Sequence, residues 1–152
     1  MNKLAHVAVC NSTSKSFKQI NLHLDHSLIH LYQCKSIEEL KSLESQHQLS
    51  LIIIDHQDQA DQQSLIFGEV SEHLKTQNTF IVLPKFSPEE IQDYYNLNCS
   101  DLIYPPICSE EFSSRVKRLI AQDEINRDLE NALRVKSEFS ATMSHEIRTP
   151  LN

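Results

Sequence analysis

The residues best equipped for chemistry lie in the last stretch of the sequence, Ser137 to Asn152, where His145 is followed by Glu146, Arg148 and Thr149. On a helix turning ~100° per residue, Phe139, Met143 and Ile147 share one face and His145 lies roughly opposite. The imidazole is therefore presented to solvent or to a docking partner. With an unperturbed pKa of ~6.5 it is largely neutral near neutral pH and can attack an electrophilic phosphorus through one ring nitrogen. Glu146 is placed to take the proton from the other nitrogen or to fix the tautomer. Arg148 and Thr149, three and four positions on, lie beside His145 on the helix surface. There a guanidinium can pair with phosphate oxygens and a hydroxyl can orient a water. Pro150 lacks an N–H and restricts the residue before it, which predicts a kink just after this turn.

The positions Phe139, Met143, Ser144, His145, Glu146, Ile147, Arg148, Thr149, Pro150 and Leu151 closely resemble the H-box of sensor histidine kinases, F-x-x-x-M/L-S-H-E-I/L-R-T-P-L. That resemblance implies that His145 is a phosphoacceptor, that Thr149 serves a phosphatase step, and that the parent protein is an ATP-dependent histidine kinase of a two-component phosphorelay. It further implies a downstream partner, the receiver domain of a response regulator. ATP and Mg are expected in a domain beyond Asn152. Gly68 is the one glycine in the sequence, whereas loops that cradle nucleotide phosphates need several. No cofactor is expected within these residues, and the chain alone is expected to be inactive as a kinase. The alternative is an amphipathic helix end carrying an ordinary exposed histidine.

A length of 152 residues suits one domain plus an appendage. The net charge of −7 leaves no basic stripe for nucleic acid, which excludes that partner class. Arg115, Lys117 and Arg118 gather locally and read as a solvated helix face. No run approaches the ~18 apolar residues of a membrane span, and the N-terminus lacks the pattern of a signal peptide. A cytoplasmic region without membrane contact is expected.

Short apolar runs alternate with amphipathic stretches through residues 3 to 108, the pattern of a parallel α/β sheet. Five strands are predicted at Leu4–Cys10, Leu28–Cys34, Leu49–Asp55, Thr79–Leu83 and Leu102–Tyr104. Leu51 to Ile54 is apolar without alternation, so this strand is expected at the centre, buried on both faces. Helical spacing recurs in Phe17, Ile20 and Leu24, in Ile37, Leu40 and Leu43, and in Leu65, Ile66, Val70 and Leu74. Capping boxes mark helix starts at Ser36 to Glu39 and at Ser87 to Glu90, the latter with Pro88 at the first helical position. A flavodoxin-like, doubly wound five-stranded parallel sheet follows.

The strand ends bring a second resemblance. Asp55 closes the central strand, where response-regulator receiver domains carry the aspartate that accepts a phosphoryl group, and Asp101 to Ile107 resembles their D-Y-L-x-K-P-x run. The departures are at the chemistry. Cys10 and Asn11 stand where receivers place an acidic pair, Pro84 where they place Thr or Ser, and Pro105 where they place lysine. Phosphoryl transfer to aspartate needs Mg²⁺ held by carboxylates and a cation for the growing charge. Asp55 alone cannot build that site, so a degenerate receiver-like domain is expected over 1–108.

Cys10 and Cys34 end strands that are neighbours in the order 2-1-3-4-5, ~4.8 Å apart. Thiol chemistry is geometrically open to them, although unbridged cysteines usually serve as small core residues. His23, His26 and His30 straddle a helix end and a strand, so shared metal ligation is not expected.

From Ser109 a single helix is predicted up to Pro150. Phe112, Val116, Leu119 and Ile120 form one apolar stripe; Ile125, Leu129, Ala132, Phe139, Met143 and Ile147 form another, rotated by very roughly 170°. The first is expected to pack on the sheet. The second, with Lys136 in its seam, has the four-three spacing of a coiled coil and predicts a homodimer through 121–151. Three parts are expected: the α/β domain over 1–108, a signalling helix over 109–136 and the H-box helix over 137–152. The principal expectation is the input and phosphoacceptor region of a histidine kinase. The alternative is a non-enzymatic receiver-like module for dimerisation or protein interaction.

Overall fold

The computed structural model describes residues 4–10, 13–56 and 77–151, with side chains as far as residue 138. Five strands, β1 (Ala5–Cys10), β2 (Ile29–Cys34), β3 (Leu49–Asp55), β4 (Thr79–Val82) and β5 (Asp101–Ile103), form one parallel sheet in the order β2-β1-β3-β4-β5. The helices among the described residues are α1 (Ser14–His23), α2 (Ile37–Gln46), α3 (Pro88–Asn96) and α4 (Ser109–Leu151). Each strand begins and ends within a residue of its predicted position. The predicted helical stretch Leu65 to Leu74 lies outside the described residues.

β3 carries the central role that its unbroken apolar run predicts. Ile52 and Ile54 point into one buried cluster with Leu40 of α2 and Tyr94 of α3. Leu51 and Ile53 point into the other, with Ile20 of α1 and Phe112, Val116 and Leu119 of α4. Helices thus cover both faces, as parallel strands of this composition require. The first apolar stripe of α4 is the one that packs on the sheet, where Phe112 meets Phe80 edge-on with ring centroids 5.3 Å apart.

The helix ends show how the turns are held with so little glycine. Thr13 and Ser16 cap α1 reciprocally, Ser16 N donating to Thr13 Oγ1 at 3.1 Å and Thr13 N to Ser16 Oγ at 2.9 Å, a capping box the sequence reading did not find. At α2 the Ser36 hydroxyl accepts from Glu39 N at 3.2 Å, but the Glu39 carboxylate reaches past the cap to accept from Lys35 N at 2.7 Å. α3 ends in a Schellman arrangement: Asn98 N donates to Tyr95 O at 3.0 Å and Cys99 N to Tyr94 O at 3.2 Å. Asn98 takes φ 68° there, a left-handed position where asparagine is the usual substitute for glycine.

The chain divides into two compact units, 1–120 and 121–152. In the second, α4 runs on to Leu151, through Pro150, so the helix does not end at the proline. Ile125, Leu129, Leu133 and Val135 are exposed on it, and Arg127 Nε donates to Asp123 Oδ2 at 2.7 Å one turn away. A long helix is therefore present where a coiled coil is expected; the coiled coil itself is not confirmed. Among the described residues no helix is long and apolar enough to cross a membrane.

The two stretches of α4 differ in what they contribute to stability. Phe112→Ala should destabilise the folded chain by ~3–5 kcal/mol through the cavity it leaves, whereas Leu133→Ala, at an exposed site, should change it by less than ~0.5 kcal/mol. Denaturant unfolding of the two variants checks the contrast.

Candidate functional site at the carboxyl edge of the sheet

The parallel sheet gathers its strand ends at one edge, the usual place for ligands in this architecture. Asp55 closes β3 opposite Val82 of β4, and His56 N continues the ladder by donating to Val82 O at 2.8 Å. On its other side β3 pairs with β1, where Cys10 lies opposite Ile54. Leu83 N donates to Ile103 O at 2.8 Å, which extends the β4–β5 edge. Asp55 is 1% exposed and His56 fully buried, so the burial of β3 continues past its last residue.

Behind Asp55, the His56 ring lies 5.8 Å from that of Tyr94. Burial lowers the imidazole pKa to about 4 and keeps the ring neutral. Burial, followed by the nearby Glu90 carboxylate, pushes the Tyr94 hydroxyl up. Burial, and then Asp101, raises the Cys99 thiol to about 11. All three shifts favour uncharged groups. Above the edge, the exposed rings of Phe86 and Tyr104 lie 5.1 Å apart. Pro105 lines a cavity of about 220 Å³ with Gln19, Ile20, His23, Ile107 and Phe112, on the α1 side of the sheet.

Structural comparison identifies this arrangement. A response regulator from Thermotoga maritima superposes with a TM-score of 0.63 at 16% identity, covering 78% of this chain and 99% of that one. The chain has the receiver fold. A response-regulator receiver domain protein from Methanospirillum hungatei JF-1 gives 0.62 at 13% identity, over 82% and 99% of the two chains. The signal receiver domain of an HD domain-containing protein from Pseudomonas fluorescens Pf-5 gives 0.65 at 11% identity, over 84% and 95%. No protein-family model and no curated sequence matches the chain.

These likenesses correct the principal expectation. The receiver domain proteins among the matches are aligned over nearly their whole length, so the body of this chain is the receiver fold, where the principal expectation had placed the input region of a kinase. The histidine-kinase assignment and its ATP-dependent activity, which rested on the C-terminal pattern, give way to that fold. So does the downstream receiver as partner; the homodimer through 121–151, read from the heptad spacing of the second stripe, is not confirmed by these likenesses. The physical reason is one of scale: ten matching positions at one helix end define a local pattern, while some hundred residues of sheet and covering helices define the fold. His145, Glu146, Arg148 and Thr149 fall on the helical backbone of α4, and their side chains lie outside the described residues.

The Mg²⁺ implied by a working receiver does not fit the described residues. Cys10, Cys34, Leu83, Pro84, Tyr104 and Pro105 end or follow the strands around Asp55, and none offers the hard carboxylate oxygen that Mg²⁺ prefers. Asn11, next to Cys10 in the sequence, lies outside the described residues. Among the described residues no group of three His, Cys, Asp or Glu side chains is placed to hold a metal. His23, His26 and His30 go to different neighbours: His23 to the Phe112 ring at 5.6 Å, His26 Nε2 to Asn21 O at 2.8 Å, and His30 to the Tyr32 ring at 4.4 Å.

Two constellations escaped the sequence reading. His6, His30, Tyr32 and His47 form a ring cluster, with His6 and His47 stacked at 4.5 Å and His6 Nδ1 2.9 Å from the Tyr32 hydroxyl. The parallel pairing of His6 with His30 was the signal available for it. Arg115, read as part of a solvated face, donates to Leu102 O at 2.8 Å and to Glu111 at 2.7 Å, and lies 3.5 Å from Asp101. It ties α4 to β5.

The buried His56 makes stability pH-dependent with a definite sign. Its folded pKa of about 4 lies below the ordinary 6.5, so its contribution is fully present above pH 6.5 and is lost as pH falls toward 4. Denaturant midpoints measured between pH 7 and pH 4 should fall with acid, with a slope of up to ~1.4 kcal/mol per pH unit from this group, and His56→Phe should flatten that part of the profile.

Proposed function

We propose that the receiver-fold body, residues 1–120, is a non-enzymatic protein-interaction module that carries no phosphoryl group of its own. The observation behind this reading is the setting of Asp55: a carboxylate 1% exposed, with a thiol and prolines at positions where phosphoryl chemistry needs carboxylates and a cation. Contact with a protein partner is supported by the Phe86 and Tyr104 pair, 60% and 37% exposed at the same edge, since aromatic side chains of this kind anchor interfaces.

The chemistry is tested directly at Asp55. Incubation with acetyl phosphate and Mg²⁺ should leave the intact mass unchanged. Stoichiometric addition of a phosphoryl group that disappears in Asp55→Asn would overturn the reading.

The quartet His145, Glu146, Arg148 and Thr149 is proposed, separately from any kinase, as a nucleophilic imidazole with its neighbours. Residue type, spacing and the helical backbone of α4 support it. Phosphoramidate, a small-molecule donor that phosphorylates imidazole, should label the parent chain at His145 in peptide mapping. Equal labelling of His145→Gln would remove the assignment. The division at residues 108 and 136 is likewise a proposal, supported by the change of apolar face along α4.

A further inference from the structure

The carboxyl edge holds a second pair of groups with chemistry of their own, which the phosphoryl question does not touch. β1 and β2 stay in register to their last residues, where Cys10 lies opposite Cys34. Partners in register on parallel strands carry their side chains on the same face, and both cysteines belong to the same buried cluster. The spacing of neighbouring strands, ~4.8 Å, falls within the ~4.4–6.8 Å between α-carbons that a disulfide spans. Both thiols are unbridged.

The two sulfurs are not equivalent. They hydrogen-bond to each other, and that bond is the largest influence on both: it raises the Cys10 thiol and lowers the Cys34 thiol. The Cys10 S–H donates and the Cys34 sulfur accepts, so Cys34 is favoured as thiolate while Cys10 keeps its proton. Burial opposes ionisation of both, and Glu44 does the same from nearby. Both thiols are buried, Cys10 at 7% exposure and Cys34 at 3%, so a reagent reaches them when the end of a strand opens. Cys34 ends β2, an edge strand with one neighbour, and is followed by exposed Lys35; the end of such a strand opens more readily than the sheet centre. The other two cysteines lack a thiol partner in this geometry. Cys99 is buried in the turn after α3, with its thiol raised to about 11, and Cys108 is exposed and donates to Glu110 at 3.1 Å.

We propose that Cys10 and Cys34 form a redox-modified pair that closes reversibly into an intrachain disulfide under peroxide. The Cys34 thiolate attacks one peroxide oxygen; the S–O bond forms, the O–O bond breaks, and hydroxide leaves to take up the proton that Cys34 released. The Cys10 sulfur then attacks the Cys34 sulfur, the S–S bond forms as the S–O bond breaks, and water departs with the Cys10 proton. Two thiols are oxidised by two electrons, and one peroxide is reduced to two waters. Because Cys10 also pairs with Ile54, next to Asp55, the bridge fastens the edge strand to the segment bordering Asp55. It thereby alters the edge without any phosphoryl group.

The whole chain, native by circular dichroism, is treated with a small molar excess of hydrogen peroxide, alkylated, digested and mapped by mass spectrometry. The expected result is a linked pair of peptides containing Cys10 and Cys34, a loss of two hydrogens from the intact mass, alkylated Cys99 and Cys108, and full reversal by dithiothreitol. Cys10→Ser should leave a sulfenic acid at Cys34 that dimedone labels. Four alkylated thiols after peroxide would overturn the proposal. So would bridging confined to Cys99 or Cys108, or sulfinic acid at Cys34 in place of a bridge. The parent map decides the matter even where the serine variant does not fold.

Discussion

Burial of β3 on both faces is the constraint from which the remainder of the receiver-fold body follows. A strand whose residues Leu51 to Ile54 are all apolar cannot lie at a sheet surface, so the sheet needs helices on both sides. α2 and α3 cover one face, and α1 and the first turns of α4 cover the other. Parallel strands covered in this way leave their polar business to the strand ends, which is why Asp55 stands at the end of β3. The same packing does not stop at the last residue of the strand. His56 and Asp55 are as inaccessible as the isoleucines before them, and the neutral imidazole follows from that inaccessibility.

Architecture and chemistry separate cleanly in this protein. The sheet order and the covering helices are those of the receiver fold, while the side chains of Cys10, Cys34 and Leu83, among the described residues at the same edge as Asp55, offer no carboxylate. The fold needs only apolar strands and faces, which the buried Cys10 and Leu83 satisfy. The chemistry needs particular oxygens and a cation. A fold therefore tolerates changes that its usual reaction does not.

Sequence patterns expose some of these features and hide others for physical reasons. Strands read well because unbroken apolar runs such as Leu51 to Ile54 are a local property, and the cap at Ser87 with Pro88 is equally local. The first apolar stripe of α4 was legible because Phe112, Val116 and Leu119 repeat at helical spacing. Arg115 was misread because its partner, the Leu102 carbonyl, is thirteen positions away and belongs to another element. The His6, His30 and His47 cluster has the same cause, since only strand register brings those rings together. The C-terminal motif misled in the opposite direction: its spacing was legible, but spacing on one helix carries no information about the sheet that makes up most of the chain.

The carboxyl edge also shows what a change of donor atom does. Where receivers place an acidic pair, β1 of this chain ends in Cys10, and the adjacent strand brings Cys34 into register with it. Carboxylate oxygens are hard donors suited to Mg²⁺, whereas sulfur is soft, a poor ligand for that ion and open to oxidation. Two sulfurs in register thus place the atoms for thiol chemistry at this edge of the fold. The flanking sheet needs no rearrangement for this, because cysteine packs as a small apolar residue while it is reduced. A covalent link at this position would act on β1, and through its pairing with Ile54 on the strand that positions Asp55. The edge that in a receiver responds to charge would here respond to the oxidation state of two sulfurs.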